Sequence, residues 1–176
     1  MRLRSVLAVI LLAGTASAQT PATPGPEVKK LDFFVGSWKG EGTIPPGPWG
    51  AGGKYSVTHT NEWMTGRFFL INHSESKFPA ELGGDSSQFG FTGYDAEKKV
   101  YFATGCDSQG GQGVVEGTLN GDAWTWTGSD KSPGGHVFRH RETNQMLSPT
   151  SYRAKFEIST DGTNWLVMMD TIVTKQ

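Results

Sequence analysis

The sequence predicts an all-β fold: a single up-and-down antiparallel β-barrel of about ten strands behind a short N-terminal helical turn. Three observations carry this. Aromatic and apolar residues alternate with polar ones at period two along successive short runs, as in half-buried strands. Residues suited to tight hairpins, such as Asn120-Gly121 and Asp161-Gly162, fall between those runs. Many of the 24 glycines lie inside the runs, at Gly40, Gly42, Gly90, Gly93, Gly105 and Gly117, where they suit the sharp coiling of a small barrel. Closure also removes the sheet edges that a ten-strand meander would expose.

Residues 1–18 read as a secretory signal, with two arginines, an apolar run from Val6 to Ala13, and an A-x-A cleavage site ending at Ala18. The expected location is secreted or periplasmic. The run is too short to span a bilayer, and no later stretch approaches the roughly 20 apolar residues that a span requires. No cysteine adjoins the cleavage site for lipid attachment. Residues 19–30, rich in Pro and Thr, read as a disordered linker, and residues 31–176 as one domain with a single core.

Export permits disulfides, but Cys106 is the only cysteine, so no internal bridge forms and the core carries stability. Neither a basic residue nor a histidine flanks Cys106, and a small buried hydrophobe is its expected role. Acidic and basic residues number 17 and 16, with no basic block, which argues against a nucleic-acid partner.

After a helical turn at Leu31–Val35, strands are expected near 36–44, 54–64, 67–77, 87–94, 98–106, 113–120, 123–129, 136–144, 150–159 and 164–175. In the first, Trp38 stands among Gly36, Gly40 and Gly42, which would leave room for the indole to lie across the barrel floor as a plug. The second places Tyr55, Val57, His59, Asn61 and Trp63 on one face. Trp124 and Trp126 share a face, as do Tyr152, Ala154, Phe156 and Ile158, and these aromatic faces should point inward. The Gly-rich Asp107–Gly117 stretch lacks the lysine of a phosphate loop and reads as a hairpin at the barrel mouth. Ile44–Lys54 reads as a rim loop, with Trp49 as a lid or an incidental surface aromatic.

Polar residues on inward faces favour a barrel that holds a small ligand. A hairpin turning on Thr65-Gly66-Arg67 would set His59 opposite His73 and Val57 opposite Glu75. The result is either an internal polar cluster for a ligand headgroup or a satisfied hydrogen-bond network. A zinc site needs at least three converging ligands, and two histidines and a carboxylate drawn from a single hairpin are not a strong signal for one. His136 and His140 would stand about 13 Å apart along a strand and could not share an ion. One face of their strand carries Val137, Arg139 and Arg141, the other His136, Phe138 and His140. No nucleophile–base–acid set is legible.

Gly36-Ser37-Trp38 after a helical turn resembles the Gly-x-Trp signature of the calycin barrels, which include lipocalins, fatty-acid-binding proteins and nitrobindin-like haem proteins. The order of blocks from Leu31 to Lys175, with "GYD" at Gly93–Asp95 and the closing Asp161-Gly162…Trp165 hairpin, is similar to the bacterial family called domain of unknown function 1579. The resemblance implies a ten-stranded calycin-like barrel and brings no established activity. It further implies that Lys175 stacks on Trp38 where many members use arginine. By likeness to fatty-acid-binding barrels, Arg139 with Tyr152 would bind a carboxylate. Nitrobindin-like barrels hold haem through a late-strand histidine, and the last two strands here have none, so haem would need His136 or His140.

The expected function is binding of a small apolar or amphipathic molecule without a cofactor, through His59, Asn61, Trp63, His73, Glu75, Trp126, Arg139 and Tyr152, above a floor of Gly36, Trp38 and Lys175. The alternatives are an isomerase or hydrolase using His59, His73 and Glu75, an envelope interaction module displaying loops such as Ile44–Lys54, and a haem-binding barrel.

Overall fold

In the computed structural model, residues 22–47, 50–131 and 137–176 are described; the signal reading, Trp49 and His136 fall outside them. Ten strands form one closed antiparallel barrel in chain order: β1 (Gly36–Ile44), β2 (Gly53–Trp63), β3 (Leu70–Lys77), β4 (Ser86–Asp95), β5 (Val100–Asp107), β6 (Gln112–Asn120), β7 (Ala123–Lys131), β8 (Val137–Ser148), β9 (Ser151–Ser159) and β10 (Leu166–Lys175). β10 closes on β1 through the pairs Trp38 with Lys175 and Gly40 with Val173. Every expected strand is present. Among the described residues no helix is long and apolar enough to cross a membrane.

The helix begins earlier than expected. Residues Pro26–Lys29 form α1, which tightens into a 3-10 turn over Lys30–Phe34, within and beyond the stretch read as linker. Pro26 in the first turn supplies a preset backbone angle. The stretch is too short for helical periodicity to show, so tertiary packing decides it. Val28 and Leu31 are buried.

This segment seals one end of the barrel. Leu31 packs with Leu70, Tyr101 and Trp124, joined by Phe34, Leu119 and Met146. Phe33 packs instead on Trp38, Tyr152 and Val173. Polar latches hold the segment in place. The Trp38 Nε1 and the Asn61 Nδ2 each donate to the Phe34 carbonyl at 2.8 Å. Asp32 accepts from Trp63 Nε1 and Arg67, both at 2.8 Å, and the Tyr101 hydroxyl donates to the Glu27 carboxylate at 2.9 Å.

The glycines near Trp38 serve a different neighbour from the one expected. A Cβ at Gly36 would lie 2.8 Å from Lys175, at Gly40 3.0 Å from Val173, and at Gly42 2.7 Å from the Tyr55 ring. They admit the side chains around the indole. At the far end Gly90, Gly105 and Gly113 are register partners across β4, β5 and β6. A Cβ on Gly105 would stand 2.6 Å from the Phe89 carbonyl oxygen, so two backbones approach there more closely than any other residue permits.

Candidate functional site

Strand alternation and register settle which side chains face inward. On β2 these are Tyr55, Val57, His59, Asn61 and Trp63, as expected, because His59 pairs with Ser74 and Asn61 with Asn72 on the floor-facing wall shared with Trp38 and Gly36. The connection between β2 and β3 overturns the predicted pairing. Met64 and Phe69 close a six-residue loop, with Met64 N donating to the Phe69 carbonyl and Arg67 at a positive φ of 59°. His73 therefore pairs with Thr60 and Glu75 with Thr58, on the outer face. Both are exposed, and His73 packs edge-on to Phe89, 4.9 Å between centroids. A one-residue offset moves a whole strand's side chains to the other face.

Ser74 takes the place expected for His73. Its Oγ lies 2.7 Å from His59 Nδ1, and burial holds the His59 pKa below its ordinary value. Asn61, Asn72 and Thr92 continue the polar wall as a relay: Asn72 Nδ2 donates to Asn61 Oδ1 and Thr92 Oγ1 donates to Asn72 Oδ1, each at 2.8 Å. The relay ends on the Phe34 carbonyl through Asn61. These groups read as a satisfied network.

On the opposite wall β7, β8 and β9 present Trp124 and Trp126, then His140, Glu142 and Asn144, then Tyr152, Ala154 and Phe156. Trp124 and Trp126 stack in parallel, 5.8 Å apart and 8° from coplanar. Gly117 leaves the space that the Trp126 ring fills. Arg139 pairs with Ser129 and Ser159 on the outer face and is exposed, so it does not meet the inward Tyr152 and the expected carboxylate clamp is not assembled. Arg141 also points outward, 2.6 Å from Glu157 and 4.2 Å over the Trp165 ring. Cys106 lies exposed on β5, not in the core, because its neighbours Gly105 and Asp107 take the inward positions.

Glu142 escaped the sequence reading. It faces inward between its register partners Trp126 and Phe156. Burial raises its carboxyl pKa above the ordinary value, with the Asn144 amide opposing that rise. Burial likewise pushes the phenols of Tyr152 and Tyr55 up, and the charge of Glu142 adds to both. The signal was present: Phe138, His140, Glu142, Asn144 and Met146 form one period-two face.

Around the glycine row, at the open end, lies a cavity of about 620 Å³ lined by the inward Asn72, Ser74, Gln88, Ala103, Val115 and His140 and, over the rim, by outer-face residues such as Phe89 and Val114. Asp130 stands at this rim with its carboxylate 3.4 Å from His140 Nε2. The cavity's volume lies within the range of small-molecule pockets. At the floor, Lys175 Nζ lies 5.3 Å from the centroid of the Trp38 ring. Among the described residues no group of three or more His, Cys, Asp or Glu converges as a metal site.

A ten-stranded closed barrel, plugged at one end by an N-terminal helical turn and a tryptophan of the first strand and open at the other, is consistent with a calycin-like barrel. Residues 23–175 match the family described as "Protein of unknown function (DUF1579)", and the chain belongs to that family. No curated protein is detectably similar to it. The crystal structure of Rv2717c from M. tuberculosis is similar in fold, with a TM-score of 0.61 over 86% of this chain and 98% of that one, at 14% sequence identity.

Proposed function

We propose that this protein is an exported carrier or sensor that binds one small apolar or amphipathic molecule inside the barrel. The observation that carries the reading is a cavity of about 620 Å³ above a sealed floor, lined by polar groups such as Asn72, Ser74, Gln88 and His140 and by the small apolar side chains of Ala103 and Val115. A barrel whose interior served only stability would be filled by side chains. Of the expected contacts, His59, Asn61, Trp63, Trp126 and Tyr152 face this interior, while His73, Glu75 and Arg139 do not. Trp63 and Asn61 serve the floor latch and Tyr152 packs into the floor against Phe33 and Trp38, so Trp126 and the His59–Ser74 pair are the proposed contacts. Export rests on the signal-like residues 1–18.

Native mass spectrometry of the chain purified from its exported compartment, compared with its denatured mass, tests the proposal. An extra non-covalent mass is the expected result. A bare chain that also fails to displace any fluorescent apolar probe would overturn it, and retention of the full-length mass in the cell interior would overturn export.

A further inference from the structure

The inner wall of the barrel carries an imbalance of charge. Its inward acidic groups include Glu142 and the rim pair Asp107 and Asp130. The arginines of β8 and β9, at Arg139, Arg141 and Arg153, all alternate outward, as does Lys155. Arg153 is spent on Asp170 at 2.6 Å, and Lys155 on Glu157 at 2.9 Å. Lys175 lies at the floor over Trp38. Glu142 thus has no cationic partner among the described residues.

Buried atoms beside it also lack partners. Asn144, two residues along the same inward face, is 5% exposed and its Oδ1 accepts no hydrogen bond. Tyr55, on the facing wall, is 5% exposed and its hydroxyl is unpaired. A buried acceptor without a donor costs about 1–3 kcal/mol unless something supplies the bond. Asn144 Oδ1 asks for a donor, Glu142 beside it has no cation among the described residues, and Trp126 and Phe156, the register partners of Glu142, are aromatic rings, whose faces attract cations.

We propose that the ligand bears a primary ammonium group, bound at Glu142 with its remaining N–H donors directed to Asn144 Oδ1 and the Tyr55 hydroxyl, and with its apolar body lying along Trp126 and Phe156 towards the mouth. This inference rests on the cavity-binding reading and specifies its chemistry. An ammonium carries three donors and no acceptor, which matches the Glu142 carboxylate, Asn144 Oδ1 and the Tyr55 oxygen, while the buried Trp124 Nε1 is left to its own surroundings. A carboxylate headgroup would meet Glu142 as a like charge.

The test uses the whole mature chain and three probes that share one alkyl chain: dodecylammonium, dodecanol and dodecanoate, followed by displacement of a fluorescent apolar dye. Dodecylammonium is expected to bind tighter than the other two by about tenfold or more, and Glu142→Gln is expected to abolish that preference while leaving dodecanol binding in place. Because the probe comparison is made on the unaltered protein, it stands even if the variant folds poorly. Equal or stronger binding of dodecanol or dodecanoate overturns the ammonium assignment and leaves the cavity reading intact. Failure of all three probes overturns both. A preference for dodecylammonium that survives Glu142→Gln overturns the assignment to Glu142.

Discussion

At the floor of the barrel Leu31, Leu70, Tyr101 and Trp124 exclude solvent almost entirely, whereas at the mouth Gln88, Gly105, Gly113 and Asp130 occupy inward positions and remain exposed. Both ends belong to the same ten strands, and each strand contributes residues to both. Large apolar side chains and a helical turn close one end, and glycines and short polar side chains keep the other open. The difference teaches where this chain places its stability and where it leaves open space. Packed aromatic area sets the first, and withheld side-chain volume sets the second.

Trp124→Ala should break the comparison most severely. The indole has no exposure and packs against Tyr101, Phe34 and Trp126, so its loss removes one of the main apolar contacts between the helical turn and the wall. The expected cost is about 3–5 kcal/mol, read as a fall in the denaturant midpoint. Gln88→Ala, inward at the mouth, should cost about 0.5 kcal/mol or less. Equal losses at the two positions would show that the mouth is packed as tightly as the floor.

The floor latch sharpens the comparison further. Asp32 accepts from Trp63 Nε1 and from Arg67, but it is half exposed and its ion pair is screened. Asp32→Ala should therefore cost about 1 kcal/mol. Its larger expression should be local, with faster hydrogen exchange at the amides of Lys29 and Val35, which bond within the helical segment. Uniform protection across that segment in the variant would show that apolar packing alone holds it.

The strands that could be read from the sequence are those with one aromatic face. Tyr55–Trp63, Trp124–Trp126 and Tyr152–Ile158 alternate so strongly that only one orientation buries the rings, and the structure has that orientation. β8 is polar on both faces, so alternation names two sets of residues without choosing between them, and Glu142 was passed over. The β2–β3 register depended on loop length. Arg67 adopts the left-handed conformation that glycine usually supplies, and this extends the loop and turns His73 and Glu75 outward. Cross-chain packing likewise decided the helix at Pro26, where four residues are too few to show a period.

Acid titration separates the inner wall from the outer one. Outside, hydrogen bonds from Arg141 to Glu157 and from Arg153 to Asp170 hold both carboxyls below their ordinary range. Their contribution is present above the unfolded pKa and is lost as pH falls through the folded one. Glu142 has the opposite sign. Unfolded it titrates near 4.5, and burial raises it in the folded state. Below the unfolded value both states hold the proton and the contribution is complete; it is lost as pH rises through the folded value. The groups facing it are the phenols of Tyr55 and Tyr152, both raised by burial, and His140 two residues along β8. Glu142→Gln should therefore gain stability relative to the parent as pH climbs above about 4.5, measured by denaturation at a series of pH values. A difference curve that is flat or inclined the other way would show a paired carboxylate in place of an isolated one.

The smallest effect is expected at the floor cation. Lys175 Nζ lies 5.3 Å from the Trp38 ring centroid, where a half-exposed ammonium contributes about 0.5–1 kcal/mol. Lys175→Met keeps the aliphatic stem and removes the charge, so it isolates that electrostatic part and should lower the denaturation midpoint by this amount. Lys175→Arg should match or slightly exceed the parent, since a planar guanidinium stacks on the indole with more contact than an ammonium. If both substitutions were neutral, the stem alone would cover Trp38, and the floor would be sealed by apolar area with no help from charge.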